Sequence, residues 1–164
     1  MEFGVNPDCY YGYDIASNFS NCGQLLDFMR KHFAIQKYCT SNSYQNGCIP
    51  DYHGVEKVYQ DNNAGKTEDE AKSATTNCDG FWTNNIKSST GFITNDGTIF
   101  IMYNQGFVAL YLVDVNGFKG PNKWGYDLRT FTLSKNLKGN MKYMPRYCTQ
   151  VEKGGKSTKD LLNI

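Results

Sequence analysis

At 164 residues and 40% hydrophobic content, the chain carries enough apolar material for one domain with a real core. Its 17 basic and 16 acidic residues leave a net charge of +1, which excludes an overall electrostatic pull toward nucleic acid or an anionic membrane. Six cysteines, at positions 9, 22, 39, 48, 78 and 148, include no C-x-x-C pair, so a zinc ribbon or thioredoxin-like motif is disfavoured against a disulfide framework formed in an oxidising compartment.

Residues 1–164 read as a single domain. Met1-Glu-Phe has the look of a start codon followed by a cloning scar, which implies a longer precursor. The chain shows no signal peptide and no apolar run of about 18 residues, so as it stands it is expected to be neither targeted nor anchored. Residues 4–19, rich in Gly, Asn, Asp and Tyr, form an irregular arm tied down by cysteine. Asn18-Phe-Ser20, at its end, matches the short N-glycosylation pattern.

Asn21 and Gln24 resemble a capping pair, and Cys22, Leu25, Leu26, Met29 and Phe33 recur at helical steps. About four turns of amphipathic helix are expected, with Arg30, Lys31 and Lys37 near its C-terminal end, where cations suit the helix dipole. Cys39 to Cys48 encloses loop residues and invites a disulfide. Pairings of Cys9 with Cys22 and of Cys78 with Cys148 complete the preferred set, although sequence alone does not choose among the alternatives. Pro50 keeps Ile49 extended. Thr67 and Glu70 form a capping box for a short helix in an otherwise polar stretch.

From Gly91 onward the period becomes that of strands. Phe92 and Ile93 lead into the turn Asn95-Asp96-Gly97, and a β-rich run follows through Tyr103. Asn104-Gln105-Gly106 turns into a strand that is apolar on both faces, with Phe107, Ala109, Tyr111, Val113 and Val115 on one side and Val108, Leu110 and Leu112 on the other. A long loop over residues 114–127 returns the chain into Leu128-Arg-Thr-Phe-Thr-Leu133. The expected fold is α+β: the N-terminal amphipathic helix laid on a four-stranded antiparallel meander. A short extended piece around Cys148 and a mobile tail over residues 152–164 close the chain.

Few residues suggest chemistry. His32 and His53 are the only histidines; His32 lies among Arg30, Lys31 and Phe33 and reads as an exposed ring. His53, near Cys48, makes a Cys/His pair imaginable, but a cysteine from an even set is better read as oxidised than as nucleophilic. No G-x-S-x-G, H-E-x-x-H or P-loop pattern occurs, and a carboxylate pair acting on a sugar has no residues that mark it. The glycine-rich loop is what remains. Asp114, Asn116 and Asp127 offer side-chain oxygens to a calcium ion, yet Phe118 stands where an EF-hand would place a ligand and no Glu closes the loop. The competing reading is an Asx-turn loop whose oxygens cap its own amides.

The run Asp114-x-Asn116-Gly117-x-Lys119-Gly120-Pro121-Asn122-x-x-Gly125-x-Asp127 resembles the segment between two late strands in bacterial type IV pilin-like proteins, including minor pilins and type II secretion pseudopilins. The resemblance spans roughly residues 20–135, with the amphipathic helix, the loop ending in Cys48-Ile-Pro50 and Asp96-Gly97-Thr98 in matching order. It implies a disulfide-bearing globular pilin head without enzymatic activity or a required cofactor. Such a head works by assembly with other pilin or pseudopilin subunits in an extracellular filament and displays a surface that can meet a ligand. The subunit would be inserted in the membrane before assembly, through a hydrophobic helix that these residues lack. The rival readings are a free secreted binding or adhesin module and, behind it, a secreted carboxylate hydrolase.

Overall fold

A computed structural model describes residues 32–78, 80–105, 108–135, 141–145 and 148–162. They form an α+β unit around an antiparallel sheet of β1 (Ile35–Cys39), β2 (Thr90–Thr94), β3 (Ile99–Gln105), β4 (Val108–Asp114), β5 (Leu128–Lys135) and β6 (Met141–Pro145). The spatial order is the chain order, a six-stranded meander. The helices are α1 (Val55–Asn62), α2 (Glu68–Ala74), α3 (Thr83–Ser88) and α4 (Thr158–Leu162).

The four expected strands are β2 to β5, and the structure corrects their number by adding β1 and β6 at the edges. Lys37, expected near a helix end, lies on β1 opposite Ile93. Ala34 at φ 47 breaks the path just before that strand. The expected helix from Asn21 lies outside the described residues apart from its last positions, as do Cys9 and Cys22. Val115 sits beyond the end of β4 and is 57% exposed rather than buried with Tyr111.

Register explains the core. Across β2, β3, β4 and β5 the rows Gly91, Ile101, Leu112, Thr130 and Ile93, Ile99, Asp114, Leu128 stand opposite one another. Because side chains alternate along a strand, these rows share one face. Ile99, Ile101, Leu112 and Leu128 from that face are buried together with Val55, Val58, Phe81 and Ile86 from the helical layer. Each such side chain stabilises the fold by roughly 1.5–3 kcal/mol relative to exposure. The other face carries aromatic pairs: Phe92 stacks on Phe100 and Tyr111 on Phe131, each at 4.9 Å, and Phe33 meets the first pair edge-on at 6.3 and 5.6 Å.

Local chemistry fixes the helices. Thr67 and Glu70 form the expected capping box at α2: the Glu70 amide donates to Thr67 Oγ1 at 3.2 Å, and the Thr67 amide donates to Glu70 Oε2 at 2.9 Å. Those bonds, the Thr67 backbone first and the Lys66 ammonium next, hold the Glu70 carboxyl at about 2. Neither α1 nor α3 was expected; α1 has only Val55 and Val58 to mark an apolar stripe. A buried Glu56 joins the two, its Oε1 accepting from the Thr83 amide at 2.9 Å. Two disulfides cross-link the described residues, Cys39–Cys48 and Cys78–Cys148.

Candidate functional site

The loop between β4 and β5 is built around two buried carboxylates, Asp114 and Asp127, each 1% exposed. Asp114 ends β4 on the core-facing side, and its Oδ1 accepts from the amides of Asn116 at 2.9 Å and Gly117 at 2.7 Å. Its Oδ2 accepts from the Tyr52 hydroxyl at 2.6 Å, across 62 positions of sequence. With the Asn122 amide turned so that its nitrogen faces them, Asn122 also donates to Asp114 Oδ2 at 3.0 Å and to the Gly117 carbonyl at 2.6 Å. Asp127, just before β5, receives the Lys123 amide on Oδ1 at 2.7 Å and the Asn122 amide on Oδ2 at 2.8 Å. The two carboxylates thus organise the loop by accepting from four of its own backbone amides, of which the bond from Gly117 is buried.

Electrostatics follows from this burial. Desolvation is the main cause that raises the Asp114 pKa; the bonds from Tyr52, Asn116 and Gly117 oppose it, and the neighbouring charge of Asp127 adds to it. Burial first, then the bond to Asp114, pushes the Tyr52 phenol far above its ordinary range, so the hydroxyl remains a donor.

Gly117 shows how tightly the loop is fitted. Its φ is +56, and a Cβ placed there would stand 2.1 Å from the Gly97 carbonyl oxygen in the β2–β3 turn. Trp124, 2% exposed, plugs the far end of the loop against Phe81 and donates from Nε1 to the His53 carbonyl at 2.8 Å. His53 enters this site through its backbone, and Cys48 is bonded to Cys39.

The C-terminal segment lies along the same loop. The Glu152 amide donates to the Trp124 carbonyl at 3.0 Å, and the Lys156 amide donates to the Gly125 carbonyl at 2.9 Å. The Tyr126 hydroxyl donates to the Lys153 carbonyl at 2.9 Å, and Arg129 donates to the carbonyls of Gly125, Tyr126 and Lys156. The stretch expected as a mobile tail therefore has backbone partners, contributed by a loop that no local pattern connects to it. Its last turn, α4, is capped reciprocally by Ser157 and Asp160.

Of the three residues proposed from sequence as calcium ligands, Asp114 and Asp127 come together, with their oxygens directed at N–H and O–H donors. Asn116 is exposed and contributes its backbone amide. Among the described residues no group of three or more His, Cys, Asp or Glu gathers as a metal site. Tyr52 is the member of the network that sequence reading missed; an aromatic between Pro50 and His53 carries no mark of a partner on β4. No family model, curated protein or solved structure matches the chain.

Proposed function

We propose that this chain is the globular head of a non-enzymatic filament subunit of the type IV pilin-like kind, a pilin, minor pilin or pseudopilin that acts by assembly with other subunits outside the cytoplasm. The observation that carries the reading is the state of the loop over residues 114–127. Its two buried carboxylates are engaged in holding its own backbone, Asp114 by the Tyr52 hydroxyl and the amides of Asn116 and Gly117, Asp127 by the amides of Asn122 and Lys123. A carboxylate that is to attack, or to move a proton for, a substrate must reach it. Carboxylates spent on amides instead give a rigid surface of fixed shape, which suits a subunit that packs.

The antiparallel meander, the disulfides and the resemblance of this loop to pilin-like segments support the same reading. Two measurements test it. The precursor should carry an apolar helix of about 20 residues ahead of Gly4, and filaments sheared from the surface of the producing cells should contain this chain. A precursor with an ordinary secretory leader and a protein recovered only as a free monomer would replace this reading with the secreted binding module.

A further inference from the structure

The C-terminal segment is held by its main chain. The Val151 carbonyl accepts from Asn62 Nδ2 at 3.0 Å, and the Glu152 and Lys156 amides donate to the Trp124 and Gly125 carbonyls. The Lys153 and Lys156 carbonyls accept from the Tyr126 hydroxyl and the Arg129 guanidinium. The fit is close: a Cβ at Gly155 would stand 2.8 Å from the Trp124 carbonyl oxygen, and one at Gly125 would stand 2.7 Å from Val151 Cβ. The side chains of the segment add less. Lys153, Lys156, Lys159 and Leu161 are exposed, Val151 is half-buried, and Glu152 meets Lys123 at 3.7 Å.

The root of the segment is fastened separately. Cys148 is bonded to Cys78, which lies between α2 and α3, so the chain leaving the sheet stays joined to the helical layer whatever the residues beyond it do. Residues 149–162 contribute no side chain to the hydrophobic core, and the segment leaves its seat without opening that core. What the seat recognises is backbone and a closely fitted glycine, and a second copy offers the same groups in the same order. Exchange between two copies keeps every bond of the closed form, which makes it a low-cost route to association. Thr149 and Gln150 are the hinge, and a reach of about 10 Å from Cys148 to Val151 sets two seats face to face. We infer that the seat formed by Asn62, Trp124, Gly125, Tyr126 and Arg129 takes residues 151–156 of a second copy, giving a reciprocally strapped pair. The inference does not rest on the filament reading, and a filament held by other contacts would survive its failure.

Complementation between two full-length variants tests it. Gly155→Val spoils the segment and leaves the seat intact, whereas Arg129→Gln spoils the seat and leaves the segment intact. In analytical ultracentrifugation each variant alone is expected as a monomer. An equal mixture is expected as a one-to-one pair, about tenfold tighter than either variant with itself. The wild-type chain, whose seat is taken by its own segment, should pair increasingly as its concentration rises. Circular dichroism and melting curves establish that each variant is folded. Glu152→Pro, which deletes the amide bonded to the Trp124 carbonyl, replaces Gly155→Val should that chain fail to fold. A mixture of folded variants that stays monomeric would overturn the inference, as would a wild-type chain that stays monomeric over its whole soluble range. Equal association of each variant by itself would overturn it too, by placing the contact elsewhere on the molecule.

Discussion

Two irregular segments of this molecule keep their shape by opposite means. The segment over residues 39–48 is closed covalently by the Cys39–Cys48 bond, with Ser43 and Lys37 adding hydrogen bonds to the Ser89 and Gly47 carbonyls. The segment over residues 114–127 has no covalent closure and is organised from within by Asp114 and Asp127. The first constrains the unfolded chain and leaves most of its own residues exposed to solvent. The second acts only in the folded state, because its donors come from Tyr52 and from amides that assemble on folding. A disulfide loop tolerates changes in its interior residues, whereas a carboxylate-centred loop depends on a few particular ones.

The largest effect should come from removing the centre of the second loop. Asp114→Ala leaves the Tyr52 hydroxyl and the amides at 116 and 117 without their acceptor, and should cost about 4 kcal/mol in chemical denaturation. Replacing Cys39 and Cys48 together by Ala should cost about 2.5 kcal/mol, by loop-closure entropy over a separation of 9 residues. If the order of these two losses is reversed, the carboxylates are not what holds the second loop. Tyr52→Phe, which deletes one donor to a buried carboxylate and adds no cavity, should cost roughly 2 kcal/mol by the same measurement.

Acid sharpens the contrast further. The Asp114 carboxyl, raised above its ordinary 3.8 chiefly by burial, binds its proton more tightly in the folded state. Its contribution to stability therefore grows as pH falls through the folded pKa and levels off below the unfolded one. Glu70, held at about 2 against an ordinary 4.5, has the opposite sign: its contribution is present above 4.5 and is lost as pH falls toward 2. In melts taken from neutral pH downward, the deficit of Asp114→Asn relative to wild type should widen, and that of Glu70→Gln should close. The smallest expected effect is that of calcium. With the oxygens of Asp114 and Asp127 already engaged, melts with calcium and with chelator should coincide, and a rise in melting temperature with calcium would show that the ion displaces the internal donors.

What could be read from the sequence was what neighbouring residues decide between themselves. The Asn95-Asp96-Gly97 turn, where Asp96 Oδ1 accepts from Thr94 Oγ1 at 2.5 Å and from the Thr98 amide at 3.0 Å, and the Thr67–Glu70 box both complete their bonds within a few positions. The α+β class followed from the change of hydrophobic period at Gly91. Strand β1 was hidden because Phe33 continued a helical spacing, and its place in the sheet depends on β2, more than 50 positions away. Helix α1 was hidden for a related reason, its buried Glu56 having its partner at the start of α3. The candidate site divided in the same way. Asp114 and Asp127 were visible as loop oxygens, while Tyr52, Trp124 and the C-terminal segment entered through contacts that no spacing announces.

The placement of Trp124 gives this protein a built-in optical reporter. The chain has two tryptophans: Trp124 is sealed in the loop and bonded to the His53 carbonyl, whereas Trp82 is partly buried with the Lys72 ammonium 5.7 Å from its ring centre. With Trp82 replaced by Phe, the remaining indole emission would follow wetting of the loop, and far-ultraviolet circular dichroism would follow the sheet. Any separation of the two curves along a denaturant series would measure how far the loop can loosen while the strands stay paired.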